Sequence, residues 1–155
     1  LEAGHRMPFI VRWPGKVESG TESGQLVSFV DVFATIADVC DVSLSEDAAP
    51  DSFSFLPALR LEGDSERNEL ALQSGGGMMT MRSGQMKLIK GLGSGGFSTP
   101  RKVKPEPNGP AGQLYDLAAD LDESENLYLE RSAQVKKMSA RLEQIRKSAG
   151  HRYLK

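Results

Sequence analysis

Phe9-Ile10-Val11 is a compact apolar run that two turn signals close at once, Trp13-Pro14-Gly15 and then Gly20. A short apolar stretch bounded this way predicts a buried strand over residues 8–13. The segment after it tightens the constraint. Phe29, Val32, Phe33, Ile36, Val39 and Cys40 recur at helical spacing, with Ser28 or Asp31 placed to cap the helix start. Val30 and Ala37 widen the apolar arc until it covers most of the circumference, whereas an ordinary surface helix carries a narrower stripe. Strand and helix therefore both ask for cover on more than one side. The chain also opens without a methionine, one step from this strand. The expectation is a piece of a larger fold, which taken alone exposes an apolar patch or pairs with a second copy.

The pattern changes after a polar loop over 41–52 and a short helical turn at 55–59. Short strands are expected at 69–73, 78–82, 86–89 and 113–117, with Ser83-Gly84-Gln85 as a hairpin turn. Gly91 to Gly96 and Thr99 to Gly112 read as a long loop carrying Arg101, Lys102 and Lys104. In the last segment Val135, Met138, Leu142 and Ile145 are spaced three, four and three apart, one amphipathic stripe that should lie across the sheet. The fold class is α+β: a small antiparallel sheet of about four strands with a C-terminal amphipathic helix packed on it, preceded by a strand and a helix. Nineteen basic residues against 21 acidic ones give a net charge of −2, which argues against nucleic acid or an anionic membrane as partner. No run reaches the roughly 18 apolar residues of a membrane span. A single cysteine excludes an internal disulfide.

Four segments, in order, carry a resemblance. Glu2-Ala3-Gly4-His5-Arg6-Met7-Pro8 runs toward Trp13-Pro14-Gly15. Helix segment 25–37 follows, then Asp51-Ser52-Phe53-Ser54-Phe55-Leu56-Pro57. Last comes Gln113-Leu114-Tyr115-Asp116-Leu117, with Glu123 to Asn126-Leu127. Together they resemble the type I sulfatases of the alkaline phosphatase superfamily, in which a Glu-Gly-Gly-x-Arg-x-Pro run leads into a core strand ending in Trp-Pro-Gly. Ala3 departs from that pattern. The resemblance implies that residues 1–62 are the tail end of the large catalytic α/β domain and 63–155 the C-terminal subdomain. It also implies a secreted or periplasmic parent enzyme, a sulfuric ester hydrolase dependent on calcium and formylglycine, with the remainder of the sulfatase chain as partner.

Sulfate ester hydrolysis in this family uses a Cys/Ser-x-Pro-x-Arg run, whose first residue becomes formylglycine, and a cluster of Asp and Asn around a divalent metal. Cys40 is followed by Asp41-Val42-Ser43, so it reads as a small core residue. Catalytic residues, cofactor ligands and metal ligands are accordingly not assigned to this chain, which is expected to be inactive alone. Substrate-pocket candidates are His5, Arg6, Ser94 and Phe97. His5 lines the pocket or is a solvated histidine; Arg6 serves the pocket or a structural ion pair. Glu2 reads as bonded to its own turn and His151 as exposed. The loop bearing Ser94 and Phe97 either reaches toward the pocket, its cations touching an anionic substrate, or is a solvated linker. Asp120, Asp122 and Ser124 alternate as calcium ligands would, but Glu125 and Arg131 stand where such a loop needs glycine and a bidentate Glu, so 120–125 reads as a solvated turn. The competing reading is a non-catalytic binding or assembly module that docks on sulfated glycans through Arg101, Lys102 and Lys104.

Overall fold

The computed structural model of the chain describes residues 5–45, 47–148 and 150; Glu2 and His151 lie outside them. The chain divides into two compact units, one built on Pro8–Asn68 and the other on Glu69–Arg146.

In the second unit, β1 (Glu69–Gln73), β2 (Met79–Ser83), β3 (Met86–Ile89) and β4 (Gln113–Asp116) form one antiparallel sheet in sequence order. Side chains alternate between faces along each strand, so a row across the register lies on one face. Ala71, Met81, Leu88 and Leu114 are such a row. Helix α3 (Ser132–Lys147) lays Val135, Met138 and Leu142 on it, with Ile145 at the margin. Leu88, Leu114 and Leu142 are fully buried. Burial of each such side chain is worth about 1.5–3 kcal/mol, which makes this cluster the main stabilising element of the unit.

Local chemistry fixes the rest of the sheet. Gly84, at φ 54, takes the first position of the two-residue β2–β3 turn, where a positive φ is required. Asn126 seals the edge strand. Its Oδ1 accepts from the Leu114 and Tyr128 amides at 3.0 and 3.1 Å, and its amide group donates to Gly112 O. The Arg141 guanidinium lies 2.7 Å from Glu69 and ties α3 to β1.

The first unit contains α1 (Asp31–Val39) and α2 (Leu56–Leu59). Two expectations are corrected here. Residues 8–13 form no strand: Phe9 is about half exposed and Ile10 is 89% exposed. A strand requires a partner edge to satisfy its amides, and no described strand pairs with this segment. Second, α1 starts at Val30 without a side-chain cap, because the Asp31 carboxylate is turned inward to Arg67. In keeping with the apolar patch expected of the chain taken alone, α1 buries Asp31, Ala34, Thr35 and Ala37, while Phe29, Val30, Phe33 and Ile36 stay exposed.

That inward face is a polar hub. Arg67 donates through Nε and Nη2 to the two oxygens of Asp31 at 2.6 Å each, and Nη2 also donates to Asp51 O. The same carboxylate accepts from the Ser28 and Phe53 amides. Ser52 Oγ accepts from Ala34 N, and Thr35 Oγ1 accepts from Phe55 N. Side chains of α1 thereby fix the path of 51–56, which sets α2 in place.

Candidate functional site

The sheet face turned away from α3 carries a second, smaller cluster of Met78, Ile89, Tyr115 and Leu117. Lys87 shares this face, opposite Tyr115 in the β3–β4 register. Its ammonium meets Glu123 at 2.6 Å, both side chains almost fully buried. Glu123, at φ 57, dips inward from the acidic turn, so the expectation of a wholly solvated turn is corrected at this residue. Burial raises the Tyr115 pKa above the ordinary value of 10.0, and the carboxylates of Glu123 and Asp120 push it further the same way. Tyr115 therefore stays a neutral donor, and its hydroxyl donates to Gln113 Oε1 at 2.8 Å.

Gln113 passes that order on to the glycine-rich loop. Its Nε2 donates to Gly91 O at 2.8 Å and Gly93 O at 3.1 Å. The loop then closes on itself. Ser94 N donates to Pro100 O, Gly95 N to Arg101 O, and Val103 N to Leu92 O, at 2.9–3.0 Å. Ser94 Oγ donates to Ser98 O and accepts from Gly96 N. Gly93, at φ 93, lies where a Cβ would meet Pro100 O at 2.8 Å and Arg101 O at 2.9 Å. The segment over 91–103 is thus a hydrogen-bonded loop with Phe97 at its tip, fully exposed. Arg101, Lys102 and Lys104 are exposed on its returning limb.

Ser94 and Phe97 therefore share one loop, whereas His5 and Arg6 are exposed on a separate segment. The sequence reading missed Gln113, Tyr115 and the Lys87–Glu123 pair. Only the period-2 pattern of the strands signalled that residues 87, 113 and 115 share a sheet face. In the first unit a cleft of about 480 Å³ is lined by Asp38, Asp41, Asp64 and Glu66 beside Ser52 and Ser54. Four carboxylates repel an anionic sulfate ester, so of these two features the loop is the better anion site.

Calcium and formylglycine are implied by the family resemblance for the complete enzyme. Among the described residues no group of three or more His, Cys, Asp or Glu is arranged to hold a metal. Asp120 commits its carboxylate to the Ser124 and Glu125 amides and the Ser124 hydroxyl, which also lowers its pKa, the Ser124 amide first. Cys40, expected in the core, is exposed just beyond α1, and Asp41 follows it.

No family model matches the chain. An N-acetylgalactosamine-6-O-sulfatase of Bacteroides thetaiotaomicron is 34% identical over 145 residues, which is 94% of this chain and 28% of that enzyme. The mouse steryl-sulfatase is 37% identical over 68 residues, 44% of this chain and 11% of that protein. In structure, the chain matches a protein solved in connection with glycosaminoglycan metabolism by B. thetaiotaomicron. The TM-score is 0.72 and the identity 30%, over 91% of this chain and 29% of that one. The chain spans little more than a quarter of the length of these two bacterial relatives.

Proposed function

Because the chain is a sulfatase homologue along nearly all of its length, consistent with a C-terminal portion of the larger relatives, we propose that it is the part of a sulfuric ester hydrolase that completes the fold and one side of the substrate pocket. In this reading residues 1–62 finish the catalytic domain and 63–155 are the C-terminal subdomain. The remainder of the sulfatase chain covers Phe29, Phe33 and Ile36 and supplies the formylglycine and calcium site. When bound, those groups provide the nucleophile and neutralise the sulfate oxygens. The parent enzyme acts outside the cytoplasm, and no described helix is long and apolar enough to cross a membrane.

This chain's own contribution is positioning. Tyr115 and Gln113 hold the 91–103 loop, so that Phe97 and the loop cations face the substrate, and His5 and Arg6 line the pocket from the opening segment. The single observation that carries the reading is the 145-residue alignment with the N-acetylgalactosamine-6-O-sulfatase. Two tests bear on it. Purified chain incubated with an aryl sulfate is expected to release none; hydrolysis proportional to chain concentration overturns the division of labour. The coding sequence upstream of Leu1 is expected to encode a Cys/Ser-x-Pro-x-Arg run and an Asp-rich strand end, and their absence overturns the sulfatase assignment.

A further inference from the structure

We propose that Asn108 is a site of spontaneous covalent modification, at which the chain between β3 and β4 gains a negative charge and, in part of the product, one extra main-chain carbon. This goes beyond the sulfatase reading and does not rest on it. Asn108 lies in Glu106-Pro107-Asn108-Gly109. The Glu106 carbonyl accepts from Gly109 N at 2.9 Å, and Asn108 stands at φ 64. Those are the marks of a tight turn with proline second and a left-handed residue third, a place asparagine takes at little cost. The side chain is otherwise uncommitted. It is exposed, and among the described residues none hydrogen-bonds to its amide group.

That free amide stands next to its own nucleophile. Gly109 N, once deprotonated, attacks Asn108 Cγ; the new bond closes a five-membered succinimide ring, and the side-chain nitrogen leaves as ammonia. Water then opens the ring at either carbonyl. Breaking the bond from Gly109 N to Cγ leaves aspartate on a normal main chain. Breaking the bond from Gly109 N to the main-chain carbonyl carbon leaves isoaspartate, with the chain routed through Cβ and Cγ. Solvent water is the only co-reactant. Glycine is the successor that permits this, because no Cβ crowds the attacking nitrogen. The turn sets the rate: Gly109 N–H is held by Glu106 O, so ring closure waits for that bond to open. One such bond slows the folded chain about two- to tenfold relative to the unfolded one. Selectivity follows from the other two of the three asparagines. Asn68 precedes Glu69, and Asn126 precedes Leu127 and spends its side chain on three main-chain groups. Conversion makes the net charge of −2 one unit more negative, on the limb that carries Arg101, Lys102 and Lys104.

The test keeps the full chain at mildly alkaline pH, with and without urea, and samples it over weeks. Peptide mass spectrometry, with chromatography that separates aspartate from isoaspartate, reads each asparagine. Asn108 is expected to gain one mass unit and to yield both products, while Asn68 and Asn126 stay intact. Urea should speed the conversion about two- to tenfold. G109A should slow it in urea as well as in the folded chain, so the result does not depend on how that variant folds. N108Q should abolish the more acidic species that accumulates on ion exchange. The proposal is overturned if Asn108 stays intact in the folded chain while the urea sample converts, if Asn68 converts as fast as Asn108, or if the acidic species survives in N108Q. A rate that urea leaves unchanged overturns the gating by the turn.

Discussion

Replacing Arg67 with Met removes the positive half of the buried hub in the first unit. Four hydrogen bonds reach the Asp31 carboxylate, two from Arg67 at 2.6 Å and two from the Ser28 and Phe53 amides at 2.8 and 3.0 Å. Loss of one partner of a buried pair costs about 3–5 kcal/mol, because the survivor stays desolvated without its counter-charge. The two remaining amide donors still hold the carboxylate, so the expected cost of R67M falls at the lower end, about 3 kcal/mol. That is a large share of the roughly 5–15 kcal/mol that holds a whole domain together. Trp13 offers the assay. It is the only tryptophan, it lies in this unit, and the Arg60 guanidinium stands 5.7 Å from its ring centroid. Its fluorescence in a urea titration therefore reports this unit. R67M should lower the transition sharply, and D31A should do likewise. The double variant should cost well short of the sum, since the second change removes a charge already orphaned by the first. A loss under about 1 kcal/mol for R67M, or strict additivity in the cycle, would refute the claim that this pair organises the unit.

Two further expectations concern the second unit. Leu88, fully buried in the row between Met81 and Leu114, should cost about 2–5 kcal/mol on replacement by Ala, read from the thermal loss of far-ultraviolet dichroism; a change under about 1 kcal/mol contradicts the assigned core. Tyr115 predicts a pH dependence. Its folded pKa is raised above 10.0 by burial and by the nearby carboxylates, so its contribution is fully present below about pH 10 and is lost as the pH rises through the folded value. The stability gap between the parent chain and Y115F should narrow above pH 10, and a tyrosinate absorbance titration in which Y115F removes a component at or below the ordinary value contradicts it.

Most of the second unit was legible in the sequence, and the reasons are local. β1 and β3 occupy the expected residues, β2 lies one residue later and β4 ends one residue earlier. Strand alternation and turn residues act over two to four positions, which a single sequence displays. The stripe of Val135, Met138 and Leu142 was legible for the same reason, and it packs as expected. The first unit was harder. Phe9 to Val11 has the composition of a core strand, but composition carries no information about the partner that would hydrogen-bond it. Arg67 sits in Asp64-Ser65-Glu66-Arg67, a polar stretch that resembles any solvated turn, and only the 36-residue return to Asp31 makes it a core residue. The apolar patch left on α1 was expected, but hydrophobicity did not single out Thr35, whose hydroxyl accepts from Phe55 N. At the loop, the glycines and cations were visible in sequence, and the side chain that anchors them, Gln113, was not.

The sequential order of the four strands has a kinetic consequence. Each strand zips onto the one that left the ribosome just before it, so sheet growth closes only short loops, with the 91–112 excursion as its longest detour. Until the final helix arrives, Met81, Leu88 and Leu114 form a greasy plate open to any passing neighbour. The helix is the lid on that plate, and during synthesis it is the last piece of the unit to emerge.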